Sequence, residues 1–68
     1  MTFGQNLKRI RKDMKLTQQE MGDKIGISQN YLSDIENGKR YLSIKAVTRL
    51  AQCLGISVTK LINDEIEV

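Results

Sequence analysis

Residues 18–37 of the chain read QQEMGDKIGISQNYLSDIEN. Apolar residues recur every three or four positions on both sides of a glycine-containing break, which is the spacing of one face of an α-helix. The stretch therefore predicts two short helices, over residues 18–25 and 29–37, joined by a tight turn over residues 26–28. Two helices connected in this way form a helix-turn-helix. The side chains expected to face the core are Met21, Ile25, Ile27, Leu32 and Ile35.

Three small residues each have a physical role in this arrangement. Gly26 suits the positive φ that a sharp turn requires, because glycine lacks a Cβ. Ser28 is placed to accept a hydrogen bond from a free backbone N–H at the start of the second helix. Gly22 falls where the first helix is expected to approach the second closely. The agreement of these positions with one geometry makes the motif specific.

The same kind of helix start recurs along the chain. An apolar residue precedes a Ser or Thr, and another apolar residue follows four positions later, which predicts an N-cap with a hydrophobic staple. This pattern occurs at Thr17, Ser28, Ser43 and Ser57. Thr17 with Glu20, and more weakly Thr2 with Gln5, also predict capping boxes. The chain is therefore predicted to be all-α and compact, with helices over residues 3–14, 18–25, 29–37, 44–54 and 58–62.

Two further apolar stripes complete the predicted core. They lie on the first and fourth helices and consist of Phe3, Leu7, Ile10 and Met14, and of Val47, Leu50, Ala51 and Leu54. Gly38 and Gly55 are expected to end the third and fourth helices in the left-handed conformation. Residues 1–63 are thus expected to form one domain. Residues 64–68 are expected to be a short acidic tail, frayed rather than paired as a strand.

Length and composition exclude several classes of function. Sixty-eight residues provide for one small domain. Cys53 is the only cysteine and there is no histidine, which excludes an internal disulfide and disfavours a zinc site or histidine-based catalysis. We therefore expect no enzyme activity, no metal and no cofactor. The absence of a long apolar run and of a signal-like start leads us to expect a cytoplasmic protein.

The charge distribution suggests a polyanion as the partner. The net charge is +3, and residues 1–50 carry ten basic and five acidic side chains. Residues 51–68 carry one basic and three acidic side chains. A basic body with an acidic end fits nucleic-acid binding, although a solvated surface that leans basic would have the same composition.

Three segments resemble the Cro/C1-type (Xre) helix-turn-helix family. They are LTQQEMGDKIGIS at residues 16–28, YLSDIENGK at residues 31–39 and LAQCLGIS at residues 50–57. The resemblance extends over about residues 3–62. Two positions depart from the family pattern, because Leu42 stands where many members have proline and Gly22 where they usually have alanine. The first departure resembles the short restriction-modification controllers.

This resemblance implies a five-helix, lambda-repressor-like domain that binds double-stranded DNA. The implied function is a transcriptional regulator, of the repressor or controller type, that binds an inverted-repeat operator as a homodimer. The alternative is an antitoxin-like module whose main role is to bind a protein partner, with DNA autoregulation secondary. An adjacent toxin or restriction-methylation gene would discriminate between these functions.

The third helix is the one expected to enter the major groove. Its outward side chains, which are candidates for reading bases, are Gln29, Asn30, Ser33 and Asp34. Gln and Asn pair with adenine through two hydrogen bonds, and Ser donates or accepts. The carboxylate of Asp34 either accepts from a cytosine amino group or pairs with Lys39 or Arg40.

The residues expected to bind phosphates flank that helix. They are Gln18, Tyr31, Asn37, Lys39, Arg40, Ser43 and Lys45. The Tyr31 ring is alternatively a partly buried core residue. The basic residues in and directly after the first helix, apart from one, are expected to be solvated: Lys8, Arg9, Lys12 and Lys15.

The exception on the first helix is Arg11. In the family a matching Arg and Glu form an internal ion pair, so the resemblance implies that Arg11 and Glu36 join the first helix to the third. Cys53 is interpreted as a small, partly buried thiol rather than a redox switch.

The end of the chain is the predicted dimer interface. It holds more apolar residues than a small core is expected to absorb, namely Ile56, Val58, Leu61, Ile62, Ile66 and Val68. An exposed apolar patch usually marks a contact surface. The alternative is that Leu61 and Ile62 close the core of a single chain while the tail is disordered.

Overall fold

The computed structural model describes residues 2–62, and these fold into five helices. The prediction of an all-α chain is confirmed, and no strand occurs within this range. Each helix begins where predicted, but two end one residue earlier because Met14 and Asn37 are C-caps. The helices are α1 (Phe3–Asp13), α2 (Gln18–Ile25), α3 (Gln29–Glu36), α4 (Ile44–Leu54) and α5 (Val58–Ile62).

Hydroxyl side chains start all five helices. Thr17 Oγ1 accepts from the Glu20 N–H at 3.0 Å, and Glu20 Oε1 accepts from the Thr17 N–H at 2.8 Å, so the capping box is confirmed. Thr2 and Gln5 form the second predicted box. The other three caps accept a backbone N–H at 3.1 Å, namely Ser28, Ser43 and Ser57. Each cap contributes about 1 kcal/mol, which matters in a small domain.

Positive φ marks the ends of four helices. Gly26, Gly38 and Gly55 have φ of 81°, 77° and 69°, as predicted. Among the described residues, Lys15 is the one non-glycine residue with positive φ, at 60°. Its N–H donates to the Lys12 carbonyl at 2.9 Å, which closes the end of α1. Because a Cβ disfavours this conformation, the backbone at Lys15 is strained.

The core draws on all five helices. Its buried apolar side chains are Leu7, Ile10, Met21, Leu32, Ile35, Val47, Leu50, Ala51, Leu54 and Leu61. Ile25 and Ile27 pack against this cluster and are partly buried. Met14 was wrongly assigned to the apolar stripe of α1: it is 37% exposed, since α1 ends before it.

Two glycines set how closely the helices pack. A Cβ on Gly4 would overlap the carbonyl oxygen of Ile35, so α1 rests directly on the C-terminal end of α3. A Cβ on Gly22 would lie 2.6 Å from the carbonyl oxygen of Ile27. Gly22 is therefore required by contact with the turn after α2, rather than with α3 as the sequence suggested. This contact also gives a physical reason for glycine where the family usually has alanine.

Helix α5 is held against α1 by a buried polar side chain. Asn6 is 1% exposed, and its Nδ2 donates to the carbonyl oxygens of Lys60, at 3.0 Å, and Leu61. Leu61 is fully buried within the single chain. Its assignment to a dimer interface is therefore corrected, because the side chain has no surface left for a partner. Ile66 and Val68, and the predicted tail over residues 64–68, lie outside the described residues.

Candidate nucleic-acid interface

Helices α2 and α3 form the helix-turn-helix. The carbonyl of Gly22 accepts from the N–H groups of Gly26, at 2.8 Å, and Ile27, at 2.9 Å, which fixes the turn directly after α2. The hydroxyl of Ser28 then starts α3. Met21 and Leu32 are fully buried, so both helices are anchored in the core. Such an arrangement presents the opposite side of α3 as a rigid surface.

The four predicted base-reading residues differ in their surroundings. Gln29 and Asn30 are exposed in the first turn of α3. Ser33 is half-buried, and its Oγ accepts from Asn37 Nδ2 at 3.3 Å. Asp34 is half-buried and contacts Arg40. Among residues 2–62, the two amide side chains of the first turn have no hydrogen-bond partner, whereas the polar groups of the last turn are already paired.

Arg40 lies over the side of α3. Its Nε lies 3.4 Å from Asp34 Oδ2, and its guanidinium carbon lies 4.8 Å from the centre of the Tyr31 ring. The structure thus pairs Asp34 with Arg40 and gives no such contact to Lys39. Tyr31 is partly buried against the core, as its alternative interpretation expected, and carries the guanidinium on its ring, whereas its contact with a phosphate stays a prediction.

The start of α2 is joined to α3 by a charged network. Arg11 Nε lies 2.8 Å from Glu36 Oε2, and Arg11 Nη2 donates to Glu36 Oε1 at 3.2 Å. The side-chain amide of Gln18 donates to the same Oε1 at 3.1 Å. The amide nitrogen of Gln18 is therefore engaged inside the domain. In the part of the chain that the structure describes, the backbone N–H groups of Gln18 and Gln19 have no acceptor, and helix N-termini of this kind attract anions.

The remaining phosphate-binding candidates are exposed. Asn37 and Lys39 follow α3, and Ser43 and Lys45 lie at the start of α4. The hydroxyl of Ser43 caps α4 through the N–H of Ala46, so it has one acceptor site already occupied. These residues all come from the single loop between α3 and α4 and from the first turn of α4.

Two residues of α1 have surroundings that the sequence did not reveal. Asn6 is buried as described above, and Arg9 is half-buried, with its Nη2 donating to Asn6 Oδ1 at 2.6 Å. Arg9 was therefore wrongly predicted to be solvated, whereas Lys8, Lys12 and Lys15 are exposed. The spacing of apolar residues gives no indication that Asn6 is buried, because an amide side chain in a helix is equally compatible with an exposed position.

Two exposed apolar residues lie within and directly after the loop between α3 and α4. Tyr41 is 93% exposed and Ile44 is 72% exposed. Neither residue was singled out from the sequence. Cys53 is exposed on α4 rather than partly buried as predicted.

The carboxylate of Glu20 has a lowered pKa. Hydrogen bonds from the backbone N–H of Thr17, and then from its side chain, favour the charged form and hold the pKa below its ordinary value of 4.5. A negative charge in the first turn of α2 also suits the positive end of the helix dipole.

Residues 2–62 contain neither a cluster of potential metal ligands nor a helix long and apolar enough to span a bilayer.

Known proteins are similar to this chain in sequence and in fold. The chain is 40% identical over 65 residues to the immunity repressor protein of Bacillus phage phi105, covering 96% of the chain and 45% of the repressor. The restriction-modification controller protein C.AhdI from Aeromonas hydrophila superposes with a TM-score of 0.80 at 30% identity, covering 88% of this chain and 87% of C.AhdI. SinR, the master regulator for biofilm formation, was solved in complex with DNA. It superposes with a TM-score of 0.78 at 31% identity, and the match covers 88% of this chain and 97% of SinR.

The chain spans less than half the length of the phage repressor, so the remainder of that protein has no counterpart in these 68 residues. The helix-turn-helix family model matches residues 7–61, which is most of the described fold. The chain belongs to this family, the Cro/C1-type (Xre) helix-turn-helix DNA-binding transcription regulators.

Proposed function

We propose that the chain is a repressor- or controller-type regulator that binds an inverted-repeat operator as a homodimer. The observation that carries the proposal is the free first turn of α3, where Gln29 and Asn30 stand exposed on a helix anchored by buried Leu32 and Ile35. A recognition helix needs this combination, because base edges are read by side chains whose position is fixed by the core.

Helix α3 enters the major groove in this proposal. Gln29 and Asn30 read adenine through paired hydrogen bonds, or other bases through one. Ser33 contributes a single hydrogen bond, since its oxygen is shared with Asn37. These contacts supply sequence preference, whereas contacts with phosphates supply register and much of the affinity.

The phosphate contacts come from both sides of α3. The free N–H groups at the start of α2 bind one phosphate, and Asn37, Lys39, Ser43 and Lys45 bind along the other side. Gln18 contributes through its backbone, because its side-chain amide is engaged with Glu36. The net charge of +3 is consistent with a polyanion partner.

A dimer is proposed to form through α5 and the segment before it. Ile62 is 37% exposed, and Ile56 and Val58 are partly buried. These three residues would supply the exposed apolar surface for the dimer interface that buried Leu61 cannot supply. A two-fold axis beside α5 would leave both recognition helices on one face of the dimer.

The proposal is tested by selecting bound sites from random duplex DNA. We expect an inverted repeat whose half-sites are about 34–36 Å apart, which is one turn of DNA. If each subunit neutralises about four phosphates, the slope of log K against log salt is about −7. Selected sites without dyad symmetry, or a slope near zero, would contradict the proposal.

The dimer is tested separately by Ile62→Asp, with Thr59→Asp as a control that adds the same charge to an exposed position of α5. Sedimentation should show a folded monomer for the first variant and a dimer for the second. An Ile62→Asp protein that remains dimeric would place the interface elsewhere.

The antitoxin-like alternative is the weaker one. Relatives named as a phage repressor and as a restriction-modification controller favour control of transcription as the main role. No feature of the described residues favours a toxin as the partner.

A further inference from the structure

The loop residue Arg40 is held on the recognition helix by two of that helix's own side chains. Its Nε contacts Asp34 Oδ2 at 3.4 Å, and its guanidinium lies 4.8 Å from the centre of the Tyr31 ring. Tyr31 and Asp34 are three residues apart on α3, which places them on adjacent turns of the same side. Helix α3 itself contains neither Lys nor Arg, so Arg40 is the positive charge nearest to it in sequence apart from Lys39.

This arrangement leaves part of the guanidinium available. Asp34 uses Nε, and the ring of Tyr31 covers one face. Within residues 2–62, Nη1 and Nη2 have no acceptor, and the Arg40 side chain is 54% exposed. Two terminal nitrogens in a plane match a pair of acceptors, such as two oxygens of a phosphate or O6 and N7 of a guanine.

We propose, resting on the proposed function, that Asp34 does not read bases but is a positioning residue that orients Arg40 on the Tyr31 ring for a two-point contact with DNA. A lone carboxylate on the surface that faces a polyanion would oppose binding, whereas the Asp34–Arg40 pair carries no net charge. The ring and the carboxylate together restrict a flexible arginine before DNA arrives, which lowers the entropic cost of the contact.

The proposal reverses the effect that charge alone would have. Removing a carboxylate raises the net charge of the chain by one, and electrostatic attraction alone then predicts tighter binding to DNA. Loss of positioning predicts weaker binding instead. The sign of the change in affinity upon Asp34→Ala therefore discriminates between the two effects.

The experiment measures the dissociation constant of the full chain for the operator selected with the parent protein and for a scrambled duplex of equal length. The variants are Asp34→Ala, Arg40→Ala, the double variant, and Asp34→Asn. Asp23→Ala is the matched control, because Asp23 is an exposed carboxylate of α2 that forms no ion pair among the described residues. Circular dichroism confirms that each variant is folded.

We expect Asp34→Ala to weaken operator binding about tenfold, within the range of a single two-point contact. Asp23→Ala should not weaken it. In the Arg40→Ala background, Asp34→Ala should cause no further loss, since there is no arginine left to orient. Asp34→Asn, which keeps an acceptor oxygen but not the charge, should lie between the parent and Asp34→Ala.

Comparing the operator with the scrambled duplex shows whether Arg40 contacts a guanine or a phosphate. If Arg40 contacts a guanine, the loss is confined to the operator and is reproduced by 7-deazaguanine at one position of each half-site. If Arg40 contacts a phosphate, the loss is equal on the operator and on the scrambled duplex. Both results support the positioning role.

An Asp34→Ala protein that binds the operator as tightly as the parent, or more tightly, would overturn this inference while leaving the proposed function intact. So would an equal loss upon Asp34→Ala with and without Arg40, because Asp34 would then act on a base directly. A parent protein with no affinity for DNA would instead overturn the proposed function, and this inference with it.

Discussion

Arg11 and Glu36 form a two-point ion pair that joins α1 to α3, and both residues are at least 92% buried. Arg11 is 8% exposed and Glu36 is 4% exposed. Arg11 Nη1 also donates to the Leu16 carbonyl at 2.8 Å, and the second carboxylate oxygen accepts from Gln18. Most polar atoms of the pair are thus satisfied, which is the condition under which a buried ion pair is tolerated.

Replacing Arg11 with alanine should destabilise the fold strongly. The change leaves Glu36 buried without its counter-ion, which typically costs about 3–5 kcal/mol. Urea unfolding of Arg11→Ala and of the parent measures the difference. Arg40→Ala is the control, because its pair with Asp34 is half-exposed and such pairs contribute about 0–1 kcal/mol. Replacement of both Arg11 and Glu36 by apolar residues of similar size should cost less than Arg11→Ala. Equal stability of Arg11→Ala and the parent would contradict the buried pair.

Gly22→Ala should destabilise the protein although alanine favours helices by about 1 kcal/mol over glycine. The new Cβ would lie 2.6 Å from the Ile27 carbonyl oxygen, so the turn must shift, at a cost of about 1–3 kcal/mol beyond the gain in propensity. Thermal unfolding gives the comparison, with Gln19→Ala as an exposed control on the same helix. A Gly22→Ala protein more stable than the parent would show that the turn yields freely.

Lys15→Gly should stabilise the protein by about 0.5–1 kcal/mol. Lys15 has φ of 60°, and glycine adopts this conformation without the clash of a Cβ, although it also makes the unfolded chain more flexible. Lys12→Gly, at an exposed position of α1, is the control and should be destabilising by a similar amount. The free energies of unfolding in urea decide the sign, and a destabilised Lys15→Gly would mean that the strain at Lys15 is smaller than the entropic cost of a more flexible unfolded chain.

The stability of the fold should decrease in acid partly through Glu20. Its folded pKa lies below 4.5, so the ionised side chain stabilises the fold at higher pH, and this contribution is lost as the pH falls below 4.5 and through the folded pKa. Glu20→Gln should show a shallower decrease in unfolding free energy between pH 6 and pH 3 than the parent. Parallel pH profiles of the two proteins would refute the contribution.

Gln29→Ala and Lys39→Ala should differ in how they affect DNA binding. Gln29→Ala should cost about 1–3 kcal/mol on the selected operator and relax the preference at one base pair of each half-site. Lys39→Ala should weaken binding to all duplexes equally and reduce the salt slope by about one. The two dissociation constants, measured on operator and scrambled duplex, separate these effects. Equal losses on both duplexes for Gln29→Ala would show that it reads no base.

Most of the fold could be predicted because its signals are local. Each helix start depends on a hydroxyl and a backbone N–H three residues away, and each predicted start is observed, including the box of Thr17 and Glu20. The ends of α1 and α3 are one residue shorter than predicted, since the terminal residues Met14 and Asn37 leave the helix as C-caps. The spacing of apolar residues continues past a C-cap and therefore does not show where the helix ends.

The candidate site was less predictable because its contacts join distant positions. Residue type and helix phase placed Gln29 and Asn30 on the exposed side of α3. The choice of Arg40 over Lys39 as the partner of Asp34 depends on the path of the loop, which the sequence does not specify. Leu61 was misassigned for a similar reason, since only the packing of α5 against α1 shows how much apolar surface the core absorbs.

The hydrogen bonds from the Asn6 side chain to the carbonyl oxygens of α5 have a consequence for the order of folding. They join residues that are separated by 54 and 55 positions in the sequence. Closing so long a loop has a larger entropic cost than forming the local contacts of the helix-turn-helix. We therefore expect α5 to dock late and to open first, with amide protons of α5 exchanging through a partial opening while those of α3 require global unfolding. An exchange experiment in which both helices show the same opening free energy would rule out this hierarchy. Because each such opening uncovers Leu61, protease sensitivity of this small domain would then begin at its last helix rather than at the surface that meets DNA.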